Sequence, residues 1–213
     1  MNFKYIFMAG APGSKWSSVA KNIYYSPDID RSDYHDDRTY YHDASGTRDL
    51  MHLGAYWDPG MEFGKFFNQL ERYSKEECEA EFDRAFAPNS TGIRIIKSHV
   101  FANHIDYIKQ QWPECPIILV HRGDDACLGW WVKCGHFDIT YPDYAEYYKD
   151  LKEMNSIITK QNTGIQDAIC KYKSDIATPT NNYELCAALK IAQPPAEYRQ
   201  NYGTADITLK VIL

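Results

Sequence analysis

The chain has no excess of basic residues: 23 lysines and arginines stand against 29 aspartates and glutamates among 213 residues, a net charge of −6. Broad binding to nucleic acid or to an anionic membrane surface is not expected of such a sequence, because neither phosphate array would find counter-charge. A long apolar run is missing as well. The stretch from Met1 to Gly10 is too short for a signal peptide, and nothing later approaches a membrane span, so a soluble, cytoplasmic protein is expected. The six cysteines (Cys78, Cys115, Cys127, Cys134, Cys170, Cys186) contain no CxxC pair and no zinc-ligand spacing; several fall on apolar helical faces, as reduced, buried thiols would. No internal repeat or linker divides the chain, and its length suits a single domain over residues 1–213.

What is present is globular. Apolar residues at 44% and charged residues at 24% are ordinary for a packed domain and set disorder aside. Aromatics reach 15%, with 17 tyrosines, which favours a deep pocket or broad interaction face beside a ring-rich core. Lys4-Tyr5-Ile6-Phe7-Met8-Ala9 reads as a buried strand, Gly10-Ala11-Pro12-Gly13 as a tight turn, and Trp16, Val19, Ala20 and Ile23 as one face of a helix. Residues 26–61 show no clear periodicity. Helical spacing returns with Phe63, Phe66, Phe67 and Leu70, then with Cys78, Phe82 and Phe86. A second strand is expected at Ile93–Lys97, followed by a helix through Phe101, Ile105, Ile108 and Trp112 that Pro113 and Pro116 end. Pro116-Ile117-Ile118-Leu119-Val120 is the strongest strand signal, and a helix begins near Asp124. A long helical stretch covers about residues 143–173 with Gly164 as a candidate break, a last helix spans Asn182–Ile191, and the tail after Pro194 receives no element.

Strands alternating with helices predict an α/β fold, three-layered and P-loop-type, with a mainly parallel central sheet flanked by helices. Ligands of such sheets bind outside the carboxyl ends of the strands. Residues 10–18, 97–99 and 122 all fall at such ends.

Gly10-Ala11-Pro12-Gly13-Ser14-Lys15-Trp16-Ser17-Ser18 has the chemistry of a phosphate cradle. Glycines let the backbone approach an anion, a helix N-terminus aims N–H groups at it, and Lys15, Ser17 and Ser18 add charge and hydroxyl donors. The segment resembles a Walker A loop but has one residue fewer, and it lacks the glycine before the lysine. It also resembles the shortened loop of the PAPS-dependent sulfotransferases, P-[KR]-S-G-[ST]-[ST]. Here Gly13 stands where that family has a basic residue and Lys15 where it has glycine. Ile95-Ile96-Lys97-Ser98-His99-Val100 resembles the family's I-K-T-H-L segment, and Ile117 to Asp125 its strand ending in R-[ND]-P-x-D. The serine expected about eight residues after that arginine is absent, with Gly129, Trp130 and Trp131 in its place. Asn182 to Leu189 is similar to the late Y-E-x-L and L-C-x-x-L segments. No clear counterpart of the R-K-G loop is present, and Arg199 is a candidate substitute.

The resemblance implies transfer of a sulfuryl group from 3′-phosphoadenosine-5′-phosphosulfate (PAPS) to a hydroxyl or amine of a small-molecule or sugar acceptor. It implies that Pro12, Gly13, Ser14, Lys15, Trp16, Ser17 and Ser18 hold the 5′-phosphosulfate and that Arg122 binds the 3′-phosphate. It makes His99 the general base, with Lys15 and Lys97 as catalytic cations, and lets His52, Tyr56 and Trp57 line the acceptor pocket. No metal is expected: Tyr34-His35-Asp36-Asp37 and Tyr41-His42-Asp43, with His52 and Asp58 nearby, match no standard ligand spacing. Two alternatives stand beside this reading, a P-loop kinase of a small metabolite and a degenerate P-loop fold that serves as a binding module. Trp130 and Trp131 fit either the pocket or the core.

Overall fold

A computed structural model describes residues 3–33, 55–56, 69–133, 150–198 and 206–213 of the chain. The expectations placed on His52, Trp57, Arg199 and Cys134, on the acidic histidine segments at 34–43, on Asp58, and on the helical spacing of Phe63 to Phe67 lie outside the described residues.

The fold is mixed α/β. Among the described residues six strands, β1 (Tyr5–Gly10), β2 (Ala55–Tyr56), β3 (Arg94–Lys97), β4 (Ile117–Arg122), β5 (Ile176–Ala177) and β6 (Ile207–Ile212), form one sheet in the order β2-β3-β1-β4-β6-β5. The pairings of β1 with β3 and β4, and of β2 with β3, are parallel. The other edge departs from a uniformly parallel sheet: β6, the tail that carried no assignment, runs antiparallel between β4 and β5. Its register sets Ile207 opposite Arg122.

The helices are α1 (Trp16–Tyr24), α2 (Lys75–Arg84), α3 (Ile105–Gln111), α4 (Asp124–Lys133), α5 (Leu151–Lys171) and α6 (Asn182–Leu189). Alternation along each strand divides the core into two clusters, because successive side chains point to opposite faces. Tyr5, Phe7, Ile96, Ile117 and Leu119 join Phe82, Ile108, Trp112, Met154, Ile158 and Ile165 of α2, α3 and α5 and their flanks. Ile6, Met8, Ile95, Ile118 and Val120 join Val19, Ala20 and Ile23 of α1 and Leu185 and Leu189 of α6. The central strands are thus buried from both sides, which is why β1 and β4 read as continuous apolar runs.

Two helical expectations are corrected. The segment after β3 is a 3-10 turn at Val100–Asn103 followed by α3, and α5 continues through Gly164 without a break. Gly164 marks a close approach instead: a Cβ there would fall 2.2 Å from the Ala102 carbonyl oxygen. The missing side chain lets α5 seat against the turn that carries His99. Helices α2, α5 and α6 begin with side-chain caps, from Ser74 with Glu77, from Asp150 and from Asn181. Among the described residues no side chain caps α1. Among the described residues no helix is long and apolar enough to cross a membrane.

Candidate functional site

Sheet order brings the carboxyl ends of β3, β1 and β4 side by side, so the three segments marked in the sequence meet there. The loop between β1 and α1 is tight. The Ser14 N–H donates to the Ala11 carbonyl at 3.0 Å, and Gly13 takes a left-handed φ of 80°. A Cβ on Gly13 would lie 2.0 Å from the Cys127 carbonyl oxygen, so the loop backbone packs on α4 where only glycine fits. Lys15 is also left-handed, at φ 64°, just before α1. A β-carbon makes that region costly by about 1–2 kcal/mol, and such strain gathers at functional loops.

His99 and Arg122 each close on a carbonyl of this loop. The His99 Nδ1 lies 2.5 Å from the Gly10 oxygen. A carbonyl only accepts, so in the neutral ring the proton sits on Nδ1 and the lone pair on Nε2. The imidazole also stacks on Trp16, centroids 4.0 Å apart and planes 19° from parallel. Trp16, expected among the phosphosulfate contacts, is a buried wall for His99. Lys97 is fully buried, its Nζ 5.7 Å from the centre of the same indole. Arg122 is 7% exposed and donates from Nη1 to the Gly13 carbonyl at 2.9 Å. From Nε it donates to Asp206 Oδ2 at 2.7 Å, with Nη2 at 2.6 Å from the same oxygen.

The other residues of the expected cradle lie around that frame. Pro12 and Ser14 are buried, and Lys15, Ser17 and Ser18 half-buried. The Ser14 hydroxyl has no hydrogen-bond partner among the described residues, and a Cβ on Gly10 would fall 2.6 Å from it. The Lys15 ammonium lies 4.6 Å from the centre of the Trp130 ring, with Lys133 at 5.6 Å and Arg122 at 5.9 Å. Trp130 is therefore a half-buried platform around which three cations gather, and its neighbour Trp131 is core. Of the expected acceptor residues only Tyr56 is described, and by its backbone alone: β2 pairs it with Lys97.

Three contributors escaped the sequence. Asp206 meets Arg122 across 84 positions, and no local pattern encodes that pair. Asn162, on α5, donates from Nδ2 to the Arg122 carbonyl at 2.7 Å and to Asp124 Oδ1 at 2.6 Å. Its signal was an amide at a core position of an apolar helical stripe, between Ile158 and Ile165. Cys127 donates its thiol to the same Arg122 carbonyl at 3.3 Å, and burial pushes that thiol up to about 12, so it is a structural donor. On the opposite face of β4, His121 accepts from the Gln166 amide at 2.8 Å; burial lowers its imidazole, partly opposed by Asp124. Among the described residues no three of His, Cys, Asp and Glu gather as metal ligands would.

Comparison with protein-family models, with curated proteins and with solved structures gives no match.

Proposed function

We propose that the chain is a sulfotransferase that moves a sulfuryl group from PAPS to a hydroxyl or amine of a small-molecule or sugar acceptor, in the cytoplasm and without a metal. The carrying observation is that His99 and Arg122, from two strand ends, are bonded to the Gly10 and Gly13 carbonyls of one glycine loop. The sheet, filled from both faces, is in this reading a three-layer P-loop-type scaffold. A cradle of this kind suits a phosphosulfate: its backbone is drawn tight at Gly13, and among the described residues no side chain caps α1 and none partners the buried Ser14 hydroxyl.

The donor supplies an activated sulfur with a phosphate leaving group. Against it His99 acts as base, taking the acceptor proton on Nε2 as the acceptor oxygen or nitrogen attacks sulfur. The bond from sulfur to the bridging oxygen breaks, and its electron pair leaves on the 5′-phosphate of adenosine 3′,5′-bisphosphate. Lys15 meets the charge that grows on that oxygen, Lys97 holds the Trp16–His99 stack, and Arg122 takes the 3′-phosphate.

A kinase would direct a strand-end carboxylate to magnesium. The carboxylate at the end of β4, Asp124, instead accepts from Thr159 and Asn162 on its two oxygens. The Arg122–Asp206 pair favours the other alternative, a binding module without turnover.

Calorimetric titration with adenosine 3′,5′-bisphosphate beside ATP–Mg, followed by an acceptor screen with radiolabelled PAPS, tests the proposal. Bisphosphate binding with labelled product, and a fall in turnover of about 10²–10⁴ in His99→Ala, is the expected result. Binding with no transfer across the screen gives the module, and preference for ATP–Mg gives the kinase.

A further inference from the structure

We infer that Asp206 is the specificity-determining residue for a second phosphate, because it occupies the edge of the Arg122 guanidinium that such a phosphate would take. The inference rests on the donor reading above. A guanidinium is a planar fork with few usable edges. On Arg122 the Nη1 side is committed to the loop, at 2.9 Å from the Gly13 oxygen. Both Nε and Nη2 converge on one oxygen of Asp206, at 2.7 and 2.6 Å. A phosphate oxygen seeks the same donors with the same geometry, so carboxylate and phosphate compete for one place.

The two partners are not equally fixed. The Arg122 side chain is 9% exposed and Asp206 41%. Arg122 is further anchored through its carbonyl, which accepts from Asn162 and Cys127. Asp206 directly precedes β6, whose backbone pairing with β4 sets Ile207 opposite Arg122 and so fixes the carboxylate's approach to the guanidinium. The surroundings favour a more highly charged anion than one carboxylate, because Lys15 and Lys133 share the Trp130 ring with Arg122. A phosphate monoester carries about 1.5 to 2 negative charges near neutral pH, against one for Asp206. A second phosphate therefore enters by displacing Asp206, and that displacement lowers its apparent affinity.

The full chain, with Asp206→Asn and Asp206→Ala, is titrated calorimetrically with two probes, adenosine 3′,5′-bisphosphate and 5′-AMP. Both substitutions are expected to tighten the bisphosphate about tenfold and to leave AMP within about twofold. Adding Arg122→Lys to Asp206→Asn is expected to abolish the gain, since an ammonium cannot offer the fork. Thermal melts establish that each variant is folded. Unchanged or weaker bisphosphate binding with AMP binding retained overturns the assignment of Asp206 and leaves the donor site standing. Equal tightening of both probes also overturns it, as a general charge effect. If the wild type binds neither nucleotide, the donor reading falls and this inference falls with it.

Discussion

At the amino ends of β1 and β3, charges close on one another. Arg94 bridges Asp30 and Asp83, Lys4 and the Tyr5 hydroxyl also reach Asp83, and Ser32 and Ser90 donate to Asp30. At the carboxyl ends of β1 and β4 the arrangement differs. Three cations surround Trp130, Asp206 meets one of them, and the Ser14 hydroxyl is buried with no partner among the described residues. Buried polar groups that satisfy one another build architecture, whereas donors left incomplete at strand ends are where ligand chemistry is expected. The contrast sets mutually satisfied charges at one end of the sheet against the proposed binding site at the other.

The largest effect should come from the amino end. Arg94→Ala leaves Asp30, whose side chain is 3% exposed, without its cation. Breaking one partner of such a pair costs about 3–5 kcal/mol, read as a lower urea midpoint. A loss below about 1 kcal/mol would break the comparison, since the knot would then hold little. Next is Gly13→Ala, where positive φ and the Cys127 carbonyl both oppose a β-carbon. About 2 kcal/mol of stability should go, together with bisphosphate binding. Gly123→Ala is its control: a Cβ there meets none of the described residues within 4 Å, and stability should hold within about 0.5 kcal/mol.

That much of this was legible follows from how each part is encoded. Strands β1, β3 and β4 are buried on both faces and spell themselves as apolar runs, and the segments 10–18, 97–99 and 122 could be marked because they follow those runs. Strand β6 was missed although Leu209 and Val211 are buried, because Thr208 and Lys210 alternate with them and thin the signal. Gly164 was read through backbone propensity, while its cause is a contact with Ala102 some sixty positions away. Asp206 escaped for the same reason. Local pattern carries strands and loops; it does not carry which distant carboxylate neutralises Arg122. Trp16 shows a further limit, since adjacency in the loop does not tell where a ring packs, and this one stacks on His99.

The ends should also separate by pH. Burial alone would raise the Asp30 carboxyl, but hydrogen bonds from Ser32, Ser90 and Arg94 outweigh it and hold the group below its ordinary value. Its stabilisation is therefore complete above the unfolded carboxylate value and lost as pH falls through the folded one. Asp30→Asn should flatten the acid limb of a stability–pH curve. His121, lowered chiefly by burial, acts in a higher window. Its contribution is present above the unfolded imidazole value, about 6.5, and declines as pH falls toward the folded value. His121→Gln should flatten that window and leave the acid limb unchanged, measured by urea titration at each pH.

Among the substitutions that should alter binding, the smallest stability effect, and the sharpest test of the contrast, is Trp130→Leu. The ring is half-buried and its described partners are cations rather than core side chains, so its loss should cost about 1 kcal/mol or less. Binding should suffer more than folding. Lys15 loses the surface that holds it beside the loop, and an ammenable tether of four carbons then has many other places to be. Bisphosphate affinity should drop about fivefold, and Trp130→Phe, which keeps an aromatic face, should recover part of it. A stability loss as large as that of Arg94→Ala would place Trp130 in the core and erase the distinction between the ends. A binding loss at nearly constant stability would mean that the carboxyl end holds its cations ready at little cost to the fold.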